Sequence, residues 1–266
     1  MLKSIGILGF GNMGEAIAKG IIKTHPDCIV FAYDKSKEKL EKLFSPNIKI
    51  TQSCKEFFSC VDTIIFAVKP QDISLLLEEI KPFSSRKKII SIIAGKSISF
   101  FAKRIKTNNI CRFMPNIAAQ SGFSSTAISF YEKAEDSFKT SAMIIAESIG
   151  SAFIIPEKQM AAFTALSGSG IAFVFQFIHA LAMGGVKTGI SYNDSLKISA
   201  SIFVSAYETL KNTGKMPIDL VTSIASPSGT TIEGLSVLEE RAFNSTVMDA
   251  VFESFIRASE IEELSE

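Results

Sequence analysis

Apolar and polar positions change rhythm partway along the chain. Up to residue 155, short β-rich runs alternate with helical stretches. The strand candidates are residues 4–8, 29–33, 48–51, 63–68, 89–93, 110–113, 126–130 and 153–155. Near-continuous apolar runs such as Thr63-Ile64-Ile65-Phe66-Ala67-Val68 suit strands covered on both faces, as in a parallel sheet. Helical patterns fill the intervals at 13–23, 36–43, 71–81, 97–105 and 135–148. Such alternation predicts a doubly wound α/β domain.

After Pro156 the strand signal stops. Residues 160–166, 171–187, 191–213, 217–224, 231–240 and 243–263 read as helices. Ser191 followed by Asp194 fits a capping box, and Pro217 fits a first helical position. The helix after Ser191 carries Leu196, Ile198, Ile202, Phe203, Val204, Tyr207 and Leu210, apolar nearly all round. A helix apolar on every side must be covered on every side, so a second subunit is expected to help. Residues 161–186 carry no formal charge. Ser167-Gly168-Ser169-Gly170 is expected to split that stretch, leaving 171–186 short of the ~18–20 residues of a membrane span. The reading is a helix buried in protein against a partner, with no membrane. Residues 1–155 are therefore expected to form one domain and residues 156–266 an all-α one.

Composition narrows the partners. Hydrophobic residues make up 47% and charged residues 21%, enough apolar surface for a large core. Lys+Arg 28 against Asp+Glu 27 leaves +1, so no bulk charge draws nucleic acid or an anionic membrane. The four cysteines and two histidines form no ligand spacing, so no metal site is expected and the thiols read as free, in a reducing cytoplasm. Glycines and Glu15 interrupt the first apolar run early, unlike a leader peptide.

Gly9-Phe10-Gly11-Asn12-Met13-Gly14 follows a strand and opens a helix. Gly9 permits the tight turn, Gly11 admits a pyrophosphate, and Gly14 lets helix and strand approach. The helix N-terminus then presents unpaired N–H groups and positive dipole to phosphate. Asp34, at the end of the second strand, would accept from ribose hydroxyls as in NADH. Lys35, Ser36 and Lys37 would instead hold the extra phosphate of NADPH, so the sequence leaves the preference open. The loops Ala67-Val68-Lys69-Pro70-Gln71 and Ala94-Gly95 also follow strands, where open α/β sheets bind ligands.

Near the far end, Ser226-Pro227-Ser228-Gly229-Thr230-Thr231 opens a helix. It suits a single carboxylate held at a helix N-terminus. The alternative is plain capping, because Thr230 and Glu233 have capping-box spacing.

Taken in order, GFGNMGEAIAKGI, AVKPQDI, Arg112-Phe113-Met114-Pro115-Asn116, TALSGSG, GVKTGI and SPSGTT resemble the pyrroline-5-carboxylate reductases. The resemblance runs over nearly the whole chain. It implies a Rossmann domain followed by a helical dimerisation domain, and reduction of 1-pyrroline-5-carboxylate to L-proline with NADPH or NADH. It implies cofactor contacts at Leu8 to Met13, at Ala67 to Pro70, at Ala94 and Gly95, and on the nicotinamide side at Asn116. It places the substrate carboxylate on Ser226 and the N–H groups of Gly229 and Thr230. The Thr231 hydroxyl would face the ring nitrogen as the catalytic group, with Glu157 nearby. A homodimer follows, built further into a ring or decamer as in the family. The chain departs from the family pattern at Ile117 and Ala118, at Ile171, at Cys54 and at Ser228, where the family has glycine. A nucleotide-binding regulator without turnover, and a related two-domain dehydrogenase of another imino or hydroxy acid, are the rival readings. The latter would carry a lysine soon after Gly170, and this chain has none there.

Overall fold

The computed structural model describes residues 2–41 and 45–265. Among them, eight strands form one sheet: β1 (Ser4–Leu8), β2 (Ile29–Tyr33), β3 (Ile48–Ile50), β4 (Thr63–Phe66), β5 (Lys88–Ser91), β6 (Ile110–Met114), β7 (Ser124–Phe130) and β8 (Gly150–Ile154). Between them lie α1 (Asn12–Thr24), α2 (Lys37–Glu41), α3 (Cys54–Cys60), α4 (Ile73–Ile80), α5 (Ile98–Ala102) and α6 (Asp136–Glu147). The helix expected at 36–43 is described as far as Glu41, and its last two residues lie outside the described ones. Side chains start two of the short helices: Ser53 Oγ accepts from the Glu56 N–H, and Ser97 Oγ from the Phe100 N–H.

The strand order is β3-β2-β1-β4-β5-β6-β7-β8. Consecutive β1 and β2 pair on one side while β4 continues on the other, so the order reverses between β1 and β4. Ligands bind at that switch point in open α/β sheets. One expectation needs correction: the sheet is not wholly parallel, because β7 runs antiparallel to β6 and carries β8 with it. Residues 115–123 are too few for the crossover helix that parallel pairing demands.

Alternation along each strand sends side chains to two separate cores. Ile65, Ile90 and Phe113 join Ile17, Ile21 and Phe138 on one face. Ile64, Phe66 and Ile89 join Phe57, Phe101 and Ile73 on the other. Each fully buried side chain of this size contributes about 1.5–3 kcal/mol. Within the eight strands the buried charged residue is Arg112, only 3% exposed in the middle of β6.

Beyond β8 the chain is helical: α7 (Met160–Phe163), α8 (Gly170–Lys187), α9 (Tyr192–Thr213), α10 (Pro217–Ile224), α11 (Thr230–Glu240) and α12 (Phe243–Ser265). The glycine-serine stretch does not split the first of these as expected. Residues 164–169 form a π-helical turn that joins α7 to α8 without a break. Glycine tolerates that looser turn, and the helical run 157–187 is long and apolar enough to cross a membrane by length and composition.

The chain divides into two compact units: Met1–Gly168 with Phe255–Glu266, and Ser169–Ser254. The first therefore reaches past residue 155. Asn116 on the sheet side donates to Ser167 Oγ (3.1 Å), and Glu262 of α12 pairs with Arg112. In the second unit Phe177 of α8 meets Phe203 of α9 edge-on at 5.7 Å. A Cβ at Gly185 would lie 2.4 Å from Ser195 Oγ, so the α8–α9 contact depends on that glycine. Ser191 Oγ accepts from the Asp194 N–H, the expected cap of α9.

Candidate nucleotide and substrate sites

The three glycines of the first motif have three different surroundings. Gly9 has φ +98, and a Cβ there would lie 2.6 Å from the Ala67 carbonyl. Gly14 would drive a Cβ to 2.3 Å from the Gly9 carbonyl oxygen. Gly11, the N-cap of α1, has nothing within 4 Å of its Cβ position. The fold thus demands glycine at 9 and 14 and makes no such demand at Gly11. No side chain caps α1 at Gly11, so its first N–H groups remain available to an anion. The residues present fit a dinucleotide pyrophosphate.

Around this cradle opens a crevice of about 460 Å³, lined by Leu8, Gly9, Gly11, Asp34, Ala67, Val68 and Lys69. Cross-strand bonds hold its rim: Gly9 N–H donates to the Tyr33 carbonyl (2.8 Å), and Ala67 N–H to the Leu8 carbonyl (2.8 Å). Asp34 is 8% exposed. One of its oxygens accepts from the Phe10 N–H (2.7 Å) and the other from the Ser36 N–H (2.8 Å). The same carboxylate thereby ties the glycine loop to the end of β2. Lys35 reaches across to Asp72 at 2.8 Å.

Several crevice residues escaped the sequence reading: Tyr33, Asp72, Leu75, Leu76 and Glu79. Leu75 is 79% exposed yet apolar, on the wall of the crevice. Its signal was present in an α4 pattern with one leucine too many for the buried face. Cys54 lies beside Tyr33 and Glu79, and burial together with the Glu79 contact pushes its thiol up to about 12. Tyr33 is likewise pushed up to about 12, chiefly by burial. Neither is a nucleophile at neutral pH.

At the next strand ends, Gly95 turns with φ +73 and Asn116 starts a 3-10 turn. Asn116 Nδ2 donates to Ser167 Oγ and its Oδ1 accepts from the Ala118 N–H, so its side chain braces the loop. Glu157 accepts from the Ile98 N–H (2.7 Å) and stands 3.7 Å from Arg112. Burial raises the Glu157 carboxyl above the usual value and Glu262 adds to the rise; the Ile98 N–H and Arg112 oppose it. Sequence reasoning missed Arg112 and Glu262 as its partners, although an arginine inside an apolar strand is the usual sign of a buried pair.

In the second unit, the serine-rich turn leads into α11. Capping of that helix by Thr230 is not what forms. Gly229 is the N-cap, no side chain bonds to it, and Thr230 and Thr231 are the first two helical residues. Gly229 N–H donates to the Ser226 carbonyl (3.1 Å), so it closes the turn rather than facing an anion. A Cβ at Gly229 would meet Ser226 Oγ at 2.3 Å. Ser228 adopts φ +56, a left-handed conformation that favours glycine. Thr231 is half-buried and Ser226 and Thr230 are exposed. The four cysteines are free, and Cys60 is half-buried while the others are buried.

Residues 157–261 match the family model for pyrroline-5-carboxylate reductase dimerisation, and residues 4–95 match the one for coenzyme F420-dependent NADP oxidoreductases. The pyrroline-5-carboxylate reductase of Aquifex aeolicus is 36% identical over 248 residues, 93% of each chain. The crystal structure of the Plasmodium falciparum pyrroline carboxylate reductase with NADP bound is 30% identical, with a TM-score of 0.86 over 98% of this chain and all of that one. The Coxiella burnetii pyrroline-5-carboxylate reductase structure, 26% identical, reaches 0.90 over 98% of this chain and 99% of that one. A π-turned helical half that matches the dimerisation model, joined to a glycine cradle on a Rossmann-type sheet, places the chain in the pyrroline-5-carboxylate reductase family.

Proposed function

We propose that the chain reduces 1-pyrroline-5-carboxylate to L-proline, with NADPH or NADH as the reductant. The observation that carries the cofactor half is the cradle at Gly11, open where Gly9 and Gly14 are closed. When bound, the reduced nicotinamide supplies a hydride. Leu8 to Gly14 would hold its pyrophosphate, Asp34 and Ser36 its adenosine ribose, and Ala67 to Pro70 the phosphate rim. Ala94, Gly95 and Asn116 would bound the nicotinamide side.

On the substrate side, the N–H groups of Thr230 and Thr231, with the Ser226 hydroxyl, would hold the carboxylate at the start of α11. The Thr231 hydroxyl would bond the ring nitrogen as it becomes an amine. A protonated imine already accepts hydride well, so positioning does most of the work and no buried lysine or histidine is needed. His179, the one histidine on α8, is exposed and bonded to Tyr192 (3.2 Å), consistent with a structural part. Glu157 fits a positioning role better than a direct one, through its bond to Ile98. Residues 1–155 would serve the cofactor and residues 156–266 the substrate and assembly. The working form would be a homodimer in the cytoplasm, assembled further as a decamer, with no nucleic acid or membrane partner.

The test is oxidation of reduced nicotinamide by purified protein, with and without pyrroline-5-carboxylate. Turnover dependent on that substrate is expected; cofactor binding without turnover would return the regulator reading. Thr231→Ala separates the site from the fold. One hydrogen bond strengthened in the transition state is worth roughly 1–3 kcal/mol, so kcat/KM should fall about ten- to a hundredfold with Tm unchanged. Parental turnover by that variant would remove Thr231 from the site.

A further inference from the structure

At the opposite end of the sheet from the nucleotide crevice, where β5 and β6 begin, lies a second cavity of about 510 Å³. The loops of Gly95 and Asn116 leave where the same two strands end. Strands of this length, at ~3.3 Å per residue, set the cavity roughly 13–17 Å from those loops. Backbone bonds tie three segments together around it. The Arg86 N–H donates to the Lys106 carbonyl (3.3 Å), the Asn109 N–H to Thr107 Oγ1 (3.2 Å), and the Glu135 N–H to Asn109 Oδ1 (3.0 Å). Arg86 is held there at φ +64, a left-handed conformation unusual for a residue with a side chain.

The polar groups of this framework are left without partners. Asn109 is 7% exposed, and among the described residues its amide Nδ2 donates to nothing, while its oxygen is engaged by Glu135. That nitrogen is not sealed from solvent, so it opens onto the cavity that Asn109 lines. Arg86, Lys106 and Glu135 line the same cavity, and none forms an ion pair with another described residue. Ile105 and the half-buried Tyr131 add apolar surface to the wall. We infer that the cavity is a binding site for a free acidic amino acid, apart from the nucleotide and substrate sites. Two cations and one carboxylate complement a ligand with two carboxylates and one ammonium. The unpartnered amide donor of Asn109 matches a carboxylate oxygen. A phosphate would set its charge against Glu135, and a neutral amino acid would leave one cation unmatched. At more than ten ångströms from the cofactor loops, this ligand takes no part in hydride transfer.

The experiment is calorimetric titration of the full-length protein with L-glutamate, beside succinate, L-glutamine and inorganic phosphate. Glutamate should bind saturably and at least about threefold more tightly than each of the other three, which lack the ammonium, the second carboxylate or both. Arg86→Gly and Lys106→Gln each remove one cation and should each weaken glutamate several-fold. Glycine also accepts the left-handed backbone at position 86, so Arg86→Gly should lose ligand while its Tm holds or rises; Lys106→Gln carries the same test without touching that backbone. Several outcomes overturn the inference: no saturable glutamate binding up to millimolar concentration, affinity matched by succinate, glutamine or phosphate, or affinity unmoved by both substitutions. Displacement of glutamate by 1-pyrroline-5-carboxylate would also overturn it, by assigning the amino acid to the substrate turn.

Discussion

Replacing Gly11 and Gly14 in turn separates the glycine that the fold needs from the one that the cofactor needs. At Gly14 an added Cβ falls 2.3 Å from the Gly9 carbonyl oxygen and 3.2 Å from an Ile7 methyl. The obstacle is backbone, so α1 must move off β1. Overpacking of this kind costs roughly 1–3 kcal/mol or more, which outweighs the ~1 kcal/mol of helix propensity that alanine adds over glycine. Gly14→Ala should therefore lower the melting temperature by about 2–4 °C per kcal/mol lost. At Gly11 the added group meets nothing, and φ −81 with ψ −172 is open to any residue. Gly11→Val forfeits only the modest N-cap preference for glycine, about 1 kcal/mol at most.

Cofactor affinity should respond in the opposite proportion. The pyrophosphate would bind over Gly11 with N–H groups of α1 as charge-assisted donors, each worth about 1.5–3 kcal/mol. Displacing two of them by a valine side chain should weaken NAD(P)H binding by at least about a hundredfold. Fluorescence titration of bound reduced nicotinamide, run beside thermal melting, reads both quantities. Unchanged affinity in Gly11→Val, or a melting loss larger than that of Gly14→Ala, would refute the assignment of the cradle.

Two further outcomes follow from backbone and charge. Ser228→Gly should stabilise the protein, because a left-handed serine costs ~1–2 kcal/mol and glycine returns about 0.5–1 of that through its freer unfolded chain; a lower melting temperature would show that Ser228 is held there by contacts worth more than the strain. Glu157, with its raised carboxyl, holds its proton to higher pH folded than unfolded, so its contribution is present below the ordinary value of 4.5 and is lost as pH rises through the shifted one. The melting temperature of Glu157→Gln should therefore gain on that of the parent between about pH 4 and pH 7, and a gap that closes instead would contradict the dominance of burial over Arg112.

What was legible in the sequence was whatever repeats with a period. β1, β2 and α10 fall on the residues that alternation and capping indicate, and the switch point follows from a glycine motif at the end of β1. What was not legible depended on tertiary partners. The antiparallel β7 is set by the length of one connection. The bracing of Asn116 by Ser167, and of Arg112 by Glu262, links positions far apart in sequence that no local pattern connects. At the α11 turn the spacing of Thr230 and Glu233 suggested a cap, yet the hydrogen bond from Gly229 to Ser226 closes the turn one residue earlier and makes glycine the cap. The sequence could name Lys35 and Asp34 as rivals over the ribose, but not the pairing of Lys35 with Asp72 across the crevice.

The second unit carries a different consequence. Between residues 169 and 254, Ala182, Ser195 and Ser199 are the only buried residues, none of them large. Along α9, Leu196, Ile198, Ile202, Val204, Tyr207 and Leu210 are each 37–64% exposed, about three whole side chains of apolar surface. At 1.5–3 kcal/mol for each side chain fully buried, covering them is worth roughly 4–9 kcal/mol, comparable to the net stability of an entire domain. Cover on that scale matches the dimerisation family over residues 157–261 and ties folding to subunit concentration. The melting temperature should rise with protein concentration. Val204→Glu, at the most exposed of the six positions, should give a smaller species in sedimentation and a lower, still concentration-dependent melt. A chain that sediments as a monomer at micromolar concentration, with a melt independent of dilution, would mean that α9 is stable with this surface in water, and the argument from its all-round apolar pattern would fail.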